Sequence, residues 1–150
     1  MSVTATMETA AQQLAAIEAP PMTGVTPHLN LVGASDASEF YQRAFGATEL
    51  FRLPADDGQR LLHCALVING GTLMICDCFP EMGHGFEHQP SGSFTMHLQV
   101  EDIDAWFKRA AEAGAEVLQP VEAMFWGDRY ARLRDPYGVH WSLGETPKAA

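Results

Sequence analysis

The sequence predicts an α+β fold of two tandem β-α-β-β-β modules. The stretch Thr26-Pro27-His28-Leu29-Asn30-Leu31 recurs as Thr95-Met96-His97-Leu98-Gln99-Val100, with threonine, histidine and leucine identical in both copies. Each copy alternates polar and apolar residues, which is typical of a half-buried strand. Helical signals and then more strand-like segments follow both copies, so the repeat indicates two similar halves of one domain.

The composition limits the partners. The chain of 150 residues has 9 Lys and Arg against 19 Asp and Glu, a formal charge of −10 that repels nucleic acid and anionic membrane surfaces. The three cysteines have no zinc-finger or disulfide spacing, so we interpret them as small buried residues of a reducing compartment. The N-terminus shows neither a secretory signal nor a membrane span, and we expect a cytoplasmic protein.

The ends of the chain differ from its middle. Residues 1–24 are rich in Ala and Thr, and residues 9–17 favour a short helix that the prolines at 20 and 21 end. This extension is either a frayed tail or an arm that docks on this subunit or a partner. We assign residues 25–145 to one domain and residues 146–150 to a polar tail.

The first module, residues 25–78, begins with a strand at 25–32. Ser35 or Asp36 can cap a helix that runs to about residue 45, and Gly46 is suited to the position after its end. The Asn69-Gly70-Gly71 segment predicts a tight hairpin. Further strands are predicted at residues 48–53, 60–68 and 72–78.

Residues 79–93 form a linker rich in Gly, Pro and His, either an inter-module crossover or a lid over a cavity. The second module, residues 94–144, repeats the element order. Asp102 or Asp104 caps a helix at 105–113 that Gly114 ends, and Trp106 and Phe107 on this helix are expected in the core. Strands are predicted at 95–100 and 116–118, the segment 125–134 follows, and a final strand is predicted at 139–143.

Several motifs resemble the vicinal-oxygen-chelate superfamily, which includes glyoxalase I, extradiol dioxygenases, fosfomycin-resistance proteins and bleomycin-resistance proteins. The most telling are Glu39-Phe40-Tyr41 before Phe45-Gly46-Ala47, and Met124-Phe125-Trp126-Gly127-Asp128-Arg129-Tyr130 before Arg134-Asp135-Pro136-Tyr137-Gly138. The resemblance covers residues 24–145 and is greatest to the uncharacterised glyoxalase-like branch.

The resemblance implies sheets that form a concave mixed surface with the helices outside, and frequently a homodimer. It implies a cavity lined by six residues of the repeated strands: Thr26, His28, Asn30, Thr95, His97 and Gln99. A small-molecule ligand is the expected partner.

In metal-dependent members of the superfamily, His or Glu side chains hold a divalent ion at fixed strand positions. Matching the motifs places these positions on Thr26, Thr95 and Ser142 and near Ile75, none of which is a good ligand for such an ion. The usual metal site is therefore predicted to be missing, and no cofactor is assigned. Other residues lie about two positions away and could form a displaced site for Fe, Mn, Zn or Ni: His28, His63, Asp77, His97 and His140.

Other roles remain open for the same residues. The histidines could simply line the cavity and form hydrogen bonds. Alternatively, His28 or His97 could act as a catalytic general acid or base. Trp126 and Tyr130 could wall a pocket for a flat or apolar ligand, with Arg129 or Arg132 holding a carboxylate or phosphonate. Alternatively, Trp126 is buried in the hydrophobic core and the arginines pair with surface acids.

Two functions follow from these alternatives. The leading hypothesis is a binding protein that encloses a small organic ligand, as bleomycin-resistance proteins do. The alternative is a glyoxalase-like lyase or isomerase, or a dioxygenase, that uses a displaced metal or a histidine base. The sequence leaves open whether the protein is an enzyme.

Overall fold

A computed structural model describes residues 24–82, 88–89 and 92–148 of the chain. The helix predicted at residues 9–17 lies outside the described residues, as does the middle of the linker. By their internal contacts the described residues divide into two units: those up to residue 88 except 43–46, and residues 43–46 with those from 89 onward. No described helix is long and apolar enough to cross a membrane.

The elements of the first half, in chain order, are β1 (His28–Leu31), α1 (Ala34–Phe45), β2 (Thr48–Pro54), β3 (Leu61–Ile68), β4 (Gly71–Asp77) and a 3-10 turn (Pro80–Met82). All belong to the first unit except the last three residues of α1. The strands form a four-stranded sheet in the order β1-β4-β3-β2, in which β1 is parallel to β4 and the other pairs are antiparallel. At the predicted hairpin, Asn69 and Gly70 have φ values of 48° and 79°, the left-handed conformation that a type I′ turn requires.

The second unit repeats this arrangement with β5 (Met96–Gln99), α2 (Ile103–Ala113), β6 (Glu116–Ala123), β7 (Arg129–Arg134) and β8 (His140–Glu145). These strands form a four-stranded sheet in the order β5-β8-β7-β6. Strand β5 is parallel to β8, as β1 is to β4. The predicted α+β class with two β-α-β-β-β modules is therefore confirmed.

Strand β6 is longer than predicted because it continues through Pro120. A proline cannot donate to the ladder, but β6 is the edge strand and needs hydrogen bonds on one side only. The β6–β7 pairing is irregular on both sides of Gln119, which lies opposite Arg132. Bulges of this kind re-aim side chains at the edge of a sheet.

The helix ends differ in how they are capped. In α2 the Asp102 carboxylate accepts a hydrogen bond from the Ala105 N–H, and Gly114 ends the helix in the left-handed conformation, as predicted. Helix α1 begins at Ala34, so the predicted caps Ser35 and Asp36 lie inside its first turn and that prediction is wrong. Its free N–H groups are bound by the distant Asp77 instead.

One face of each sheet carries the core. On β1 and β5 the buried leucines are Leu29, Leu31 and Leu98, which alternate with the repeated histidines as predicted. In the second unit the Trp141 indole is 1% exposed and lies 4.5 Å from the ring of Phe45. Burial, followed by a hydrogen bond to Glu49, raises the pKa of the Cys64 thiol to about 12, so this cysteine is an inert core residue.

Candidate functional site

The second sheet presents a row of polar side chains on the face opposite its core. His97 of β5 lies beside Ser142 of β8, Ser142 beside Arg132 of β7, and Arg132 beside Gln119 of β6. The next row contains Gln99, Gly144 and Tyr130. Because strand side chains alternate between faces, these residues share one surface while their neighbours are buried. We call it the His97 face.

His97 is held at both ring nitrogens. Its Nδ1 lies 2.7 Å from Ser142 Oγ, and its Nε2 lies 2.8 Å from Gln99 Oε1. The Gln99 amide nitrogen donates to Thr146 Oγ1 at 2.8 Å and to the Asp128 carboxylate at 3.3 Å. Four side chains therefore fix the position of one imidazole.

This network also selects the tautomer of neutral His97. Because the Gln99 nitrogen faces a carboxylate, its oxygen faces His97 and can only accept a hydrogen bond. The proton is therefore on Nε2, and Nδ1 accepts the hydroxyl proton of Ser142. In this arrangement neither nitrogen is available to a metal or a substrate.

Gly144 is needed for this arrangement. A Cβ at this position would meet the Gln99 side-chain oxygen and would lie 2.9 Å from Cε1 and 3.0 Å from Nε2 of His97. Real Cβ atoms do not approach other atoms so closely. The His97–Gln99 hydrogen bond therefore lies directly over the backbone of β8.

We expect Gly144→Ala to break the His97–Gln99 hydrogen bond, because the added methyl group takes its space. Long-range ¹H–¹⁵N spectra of the imidazole measure the result. The native protein should show one tautomer with the proton on Nε2, and the variant should show a mixture. Gly92→Ala is the matched control, since a Cβ there meets nothing within 4 Å. An unchanged His97 spectrum in Gly144→Ala contradicts the network.

Aromatic rings extend the His97 face towards solvent. The Tyr130 ring is stacked near His97 with centroids 6.3 Å apart. Trp126 meets Tyr130 edge-on at 5.4 Å, and Phe125 meets Trp126 edge-on at 5.0 Å. Phe125 is 95% exposed and Trp126 is 49% exposed, so Trp126 is not a core residue.

The first sheet has its own histidine-bearing face. The His28 and His63 rings meet edge-on at 6.1 Å, and Phe51 lies 5.2 Å from His63. Burial, and then the nearby His28, lower the pKa of His63, so its neutral form is favoured. The Cys76 thiol donates to the Asn30 side-chain oxygen at 3.3 Å.

The comparisons with known proteins agree with this architecture. The sequence model of the Glyoxalase/Bleomycin resistance protein/Dioxygenase superfamily matches residues 8–143. The chain belongs to this superfamily. An uncharacterised protein of Mycobacterium tuberculosis is 46% identical over 125 residues, which cover 81% of this chain and 73% of that protein.

Two solved structures that are each 26% identical to this chain show the same fold. TioX from Micromonospora sp. ML1 has a TM-score of 0.66 and 26% identity, covering 83% of this chain and 99% of its own. TnmS3, an antibiotic binding protein from Streptomyces sp. CB03234, has a TM-score of 0.60 and 26% identity, covering 85% of this chain and 99% of its own.

The positions that the superfamily resemblance assigns to metal ligands carry weak ligands here. Thr26 lies two residues before β1 and Thr95 one residue before β5, and Ser142 is 2% exposed and bound to His97. The first-unit counterpart of Ser142 is Met74 rather than Ile75, because Met74 pairs with His28 as Ser142 pairs with His97. Ile75 lies on the buried face.

The residues suggested for a displaced metal site do not fit one. Asp77 is on the buried face beside Leu31, and its carboxylate accepts hydrogen bonds from three backbone N–H groups. His97 uses both nitrogens within its network. His140 pairs with Arg134 on the His97 face. Within residues 24–82, 88–89 and 92–148, no three His, Cys, Asp or Glu side chains form a metal-binding group.

Arg129 pairs with acids, which is one of the two alternatives that the sequence left open for the arginines. Its guanidinium lies off the His97 face and binds the Asp104 carboxylate of α2 at 2.7 and 2.9 Å, with Glu145 at 3.4 Å. These two acids pair with the guanidinium that was predicted to bind a ligand. Alternation along β7 places Arg132, together with Tyr130, on the His97 face.

Several site residues were missing from the predicted set. Asp128 and Thr146 orient Gln99, and Gly144 makes room for His97. In the first unit, His88 of the linker donates from Nδ1 to the Asn30 carbonyl oxygen at 3.3 Å. Only the glycine had a usable signal, since a glycine inside a strand often marks a close approach.

Proposed function

We propose that this protein binds a small organic ligand whose flat apolar part lies against Trp126 and Tyr130 on the His97 face. The single observation that carries the proposal is the exposed aromatic run from Phe125 to His97. Large exposed rings in contact with each other are uncommon on a protein surface and mark binding sites.

The aromatic rings are held in place before any ligand arrives. Two backbone hydrogen bonds close the turn between β6 and β7. The Met124 N–H donates to the Asp128 carbonyl oxygen at 2.8 Å, and the Gly127 N–H donates to the Met124 carbonyl oxygen at 3.0 Å. Trp126 and Tyr130 also support each other edge-on. A rigid wall loses little conformational entropy on binding, which favours affinity.

Polar groups beside the wall can orient a ligand. An open cleft of about 300 Å³ is lined by Gln99, Val100, Glu101, Thr146 and Lys148. The Gln99 side chain that lines this cleft also forms the hydrogen bond with His97. The combination of an apolar wall and a few fixed polar groups is typical of small-molecule sites.

One relative supports a binding role. TnmS3 is described as an antibiotic binding protein and is 26% identical to this chain. The metal-dependent alternative lacks comparable support, because Asp77 is held on the buried face and His97 has both nitrogens engaged. A histidine base would be better served by His28, whose ring nitrogens have no hydrogen-bond partner among the described residues.

The test uses 2-naphthamide, a neutral flat probe, and titration calorimetry. We expect Trp126→Ala to weaken its binding roughly tenfold, because stacking and buried ring area are lost. Trp106→Ala is the matched control, since Trp106 is on α2 and stacks under Arg109 at 4.6 Å. Equal affinity in the native protein and Trp126→Ala, or no binding to the native protein, contradicts the proposal.

A further inference from the structure

Arg132 occupies the centre of the polar row on the His97 face. In the sheet it lies opposite Ser142 of β8 on one side and Gln119 of β6 on the other, and it is half-buried. Tyr130 lies two residues earlier on the same face of β7, roughly 7 Å away along the strand. The guanidinium is therefore next to the aromatic wall.

This arginine has no acidic partner within the described parts of the chain. Four others are paired with carboxylates at 4 Å or less: Arg52, Arg60, Arg129 and Arg134. Arg132 makes no ion pair or hydrogen bond with any described residue. Acids are not scarce, since the chain has 19 against 9 basic residues.

A half-buried guanidinium without a partner is costly, because it loses water and gains no compensating contact. Its planar fork of donors matches the two oxygens of a carboxylate or a phosphonate. The amide nitrogen of the neighbouring Gln119 is a further donor for such an oxygen, whereas the Ser142 hydroxyl proton is already donated to His97.

We infer that Arg132 anchors an oxyanion of the ligand, a carboxylate or phosphonate, while the ligand's flat part lies against Tyr130 and Trp126. This inference rests on the proposed function and specifies its ligand class as aromatic acids. It assigns to Arg132 the role that the sequence offered equally to Arg129.

The experiment compares 2-naphthoate and 2-naphthylphosphonate with neutral 2-naphthamide. We expect the native protein to bind at least one of the two acids roughly tenfold or more tightly than the amide, and Arg132→Gln to abolish this preference. The amide should bind both proteins within about twofold, because its contact with the wall is unchanged. The acid that binds more tightly identifies the preferred oxyanion.

Arg43→Gln is the matched control, because Arg43 is exposed on α1 and its loss changes the net charge by the same amount. This variant should keep the native preference. Arg132→Lys keeps the charge without the planar fork of donors and should retain only part of the preference for the acid. This variant also tests the assignment if Arg132→Gln does not fold.

The outcomes separate the two proposals. If the amide depends on Trp126 but neither acid is preferred, or Arg132→Gln keeps the preference, the assignment of Arg132 is wrong and the proposed function stands. If Arg43→Gln lowers the preference as much as Arg132→Gln, net charge explains it and the assignment is also wrong. If no probe binds the native protein, both proposals fail.

Discussion

Asp77→Ala is expected to lower the free energy of unfolding by about 4 kcal/mol, since it leaves buried backbone donors without an acceptor. The side chain is 5% exposed. One carboxylate oxygen accepts from the N–H groups of Gly33 and Ala34 at 2.8 and 3.1 Å, and the other accepts from Leu61 at 2.7 Å. Urea unfolding followed by circular dichroism measures the loss.

Two variants sharpen this test. Asp56→Ala removes an exposed aspartate from the β2–β3 turn of the same unit and should change stability by no more than about 0.5 kcal/mol. Asp77→Asn keeps one acceptor oxygen and should lie between the alanine variant and the native protein. If Asp77→Ala is as stable as Asp56→Ala, the carboxylate does not hold β4, α1 and β3 together.

Trp141→Ala is expected to cost about 4 kcal/mol, because a fully buried indole leaves a cavity that its neighbours fill only partly. The ring lies 4.5 Å from Phe45, and its Nε1 donates to the Asp135 carboxylate at 2.9 Å. The loss of this donor also disturbs the turn in which Asp135 accepts from the N–H groups of Tyr137 and Val139.

Trp126→Ala provides the matched comparison for stability. It removes the same side chain from a site that is 49% exposed, so it should cost less than about 1 kcal/mol while it weakens ligand binding. Thermal unfolding of both variants under the same conditions tests the contrast. Similar losses in the two variants would show that the Trp126 wall is structural, which would also weaken the proposed function.

Much of the candidate site follows from alternation along single strands. His97 and Gln99 lie on one face of β5, and Tyr130 and Arg132 lie on one face of β7, as a period of two requires. The choice between Arg129 and Arg132 was left open because both positions are basic. We favour Arg132 because Asp104 and Glu145, which belong to other elements, bind Arg129.

Asp77 shows why β4 was harder to predict. The spacing placed it beside the histidines, but β4 pairs with β1 so that Asp77 lies opposite Leu31 on the buried face. A shift of one residue in the assumed register moves every side chain of a strand to the other face. The helix cap that Asp77 supplies comes from a residue more than forty positions along the chain, which no local capping pattern can reveal.

The sequence by itself determined the two-module fold, the order of the elements, the end of α2 at Gly114, the hairpin at Asn69-Gly70 and the superfamily. These depend on periodicity and turn chemistry, which are written into consecutive residues. Only the tertiary structure decided which side chains meet: His97 with Ser142 and Gln99, Asp77 with the start of α1, and Arg132 with no acid in the described chain. The physical reason is that strand register and bulges are set by hydrogen bonds between distant segments.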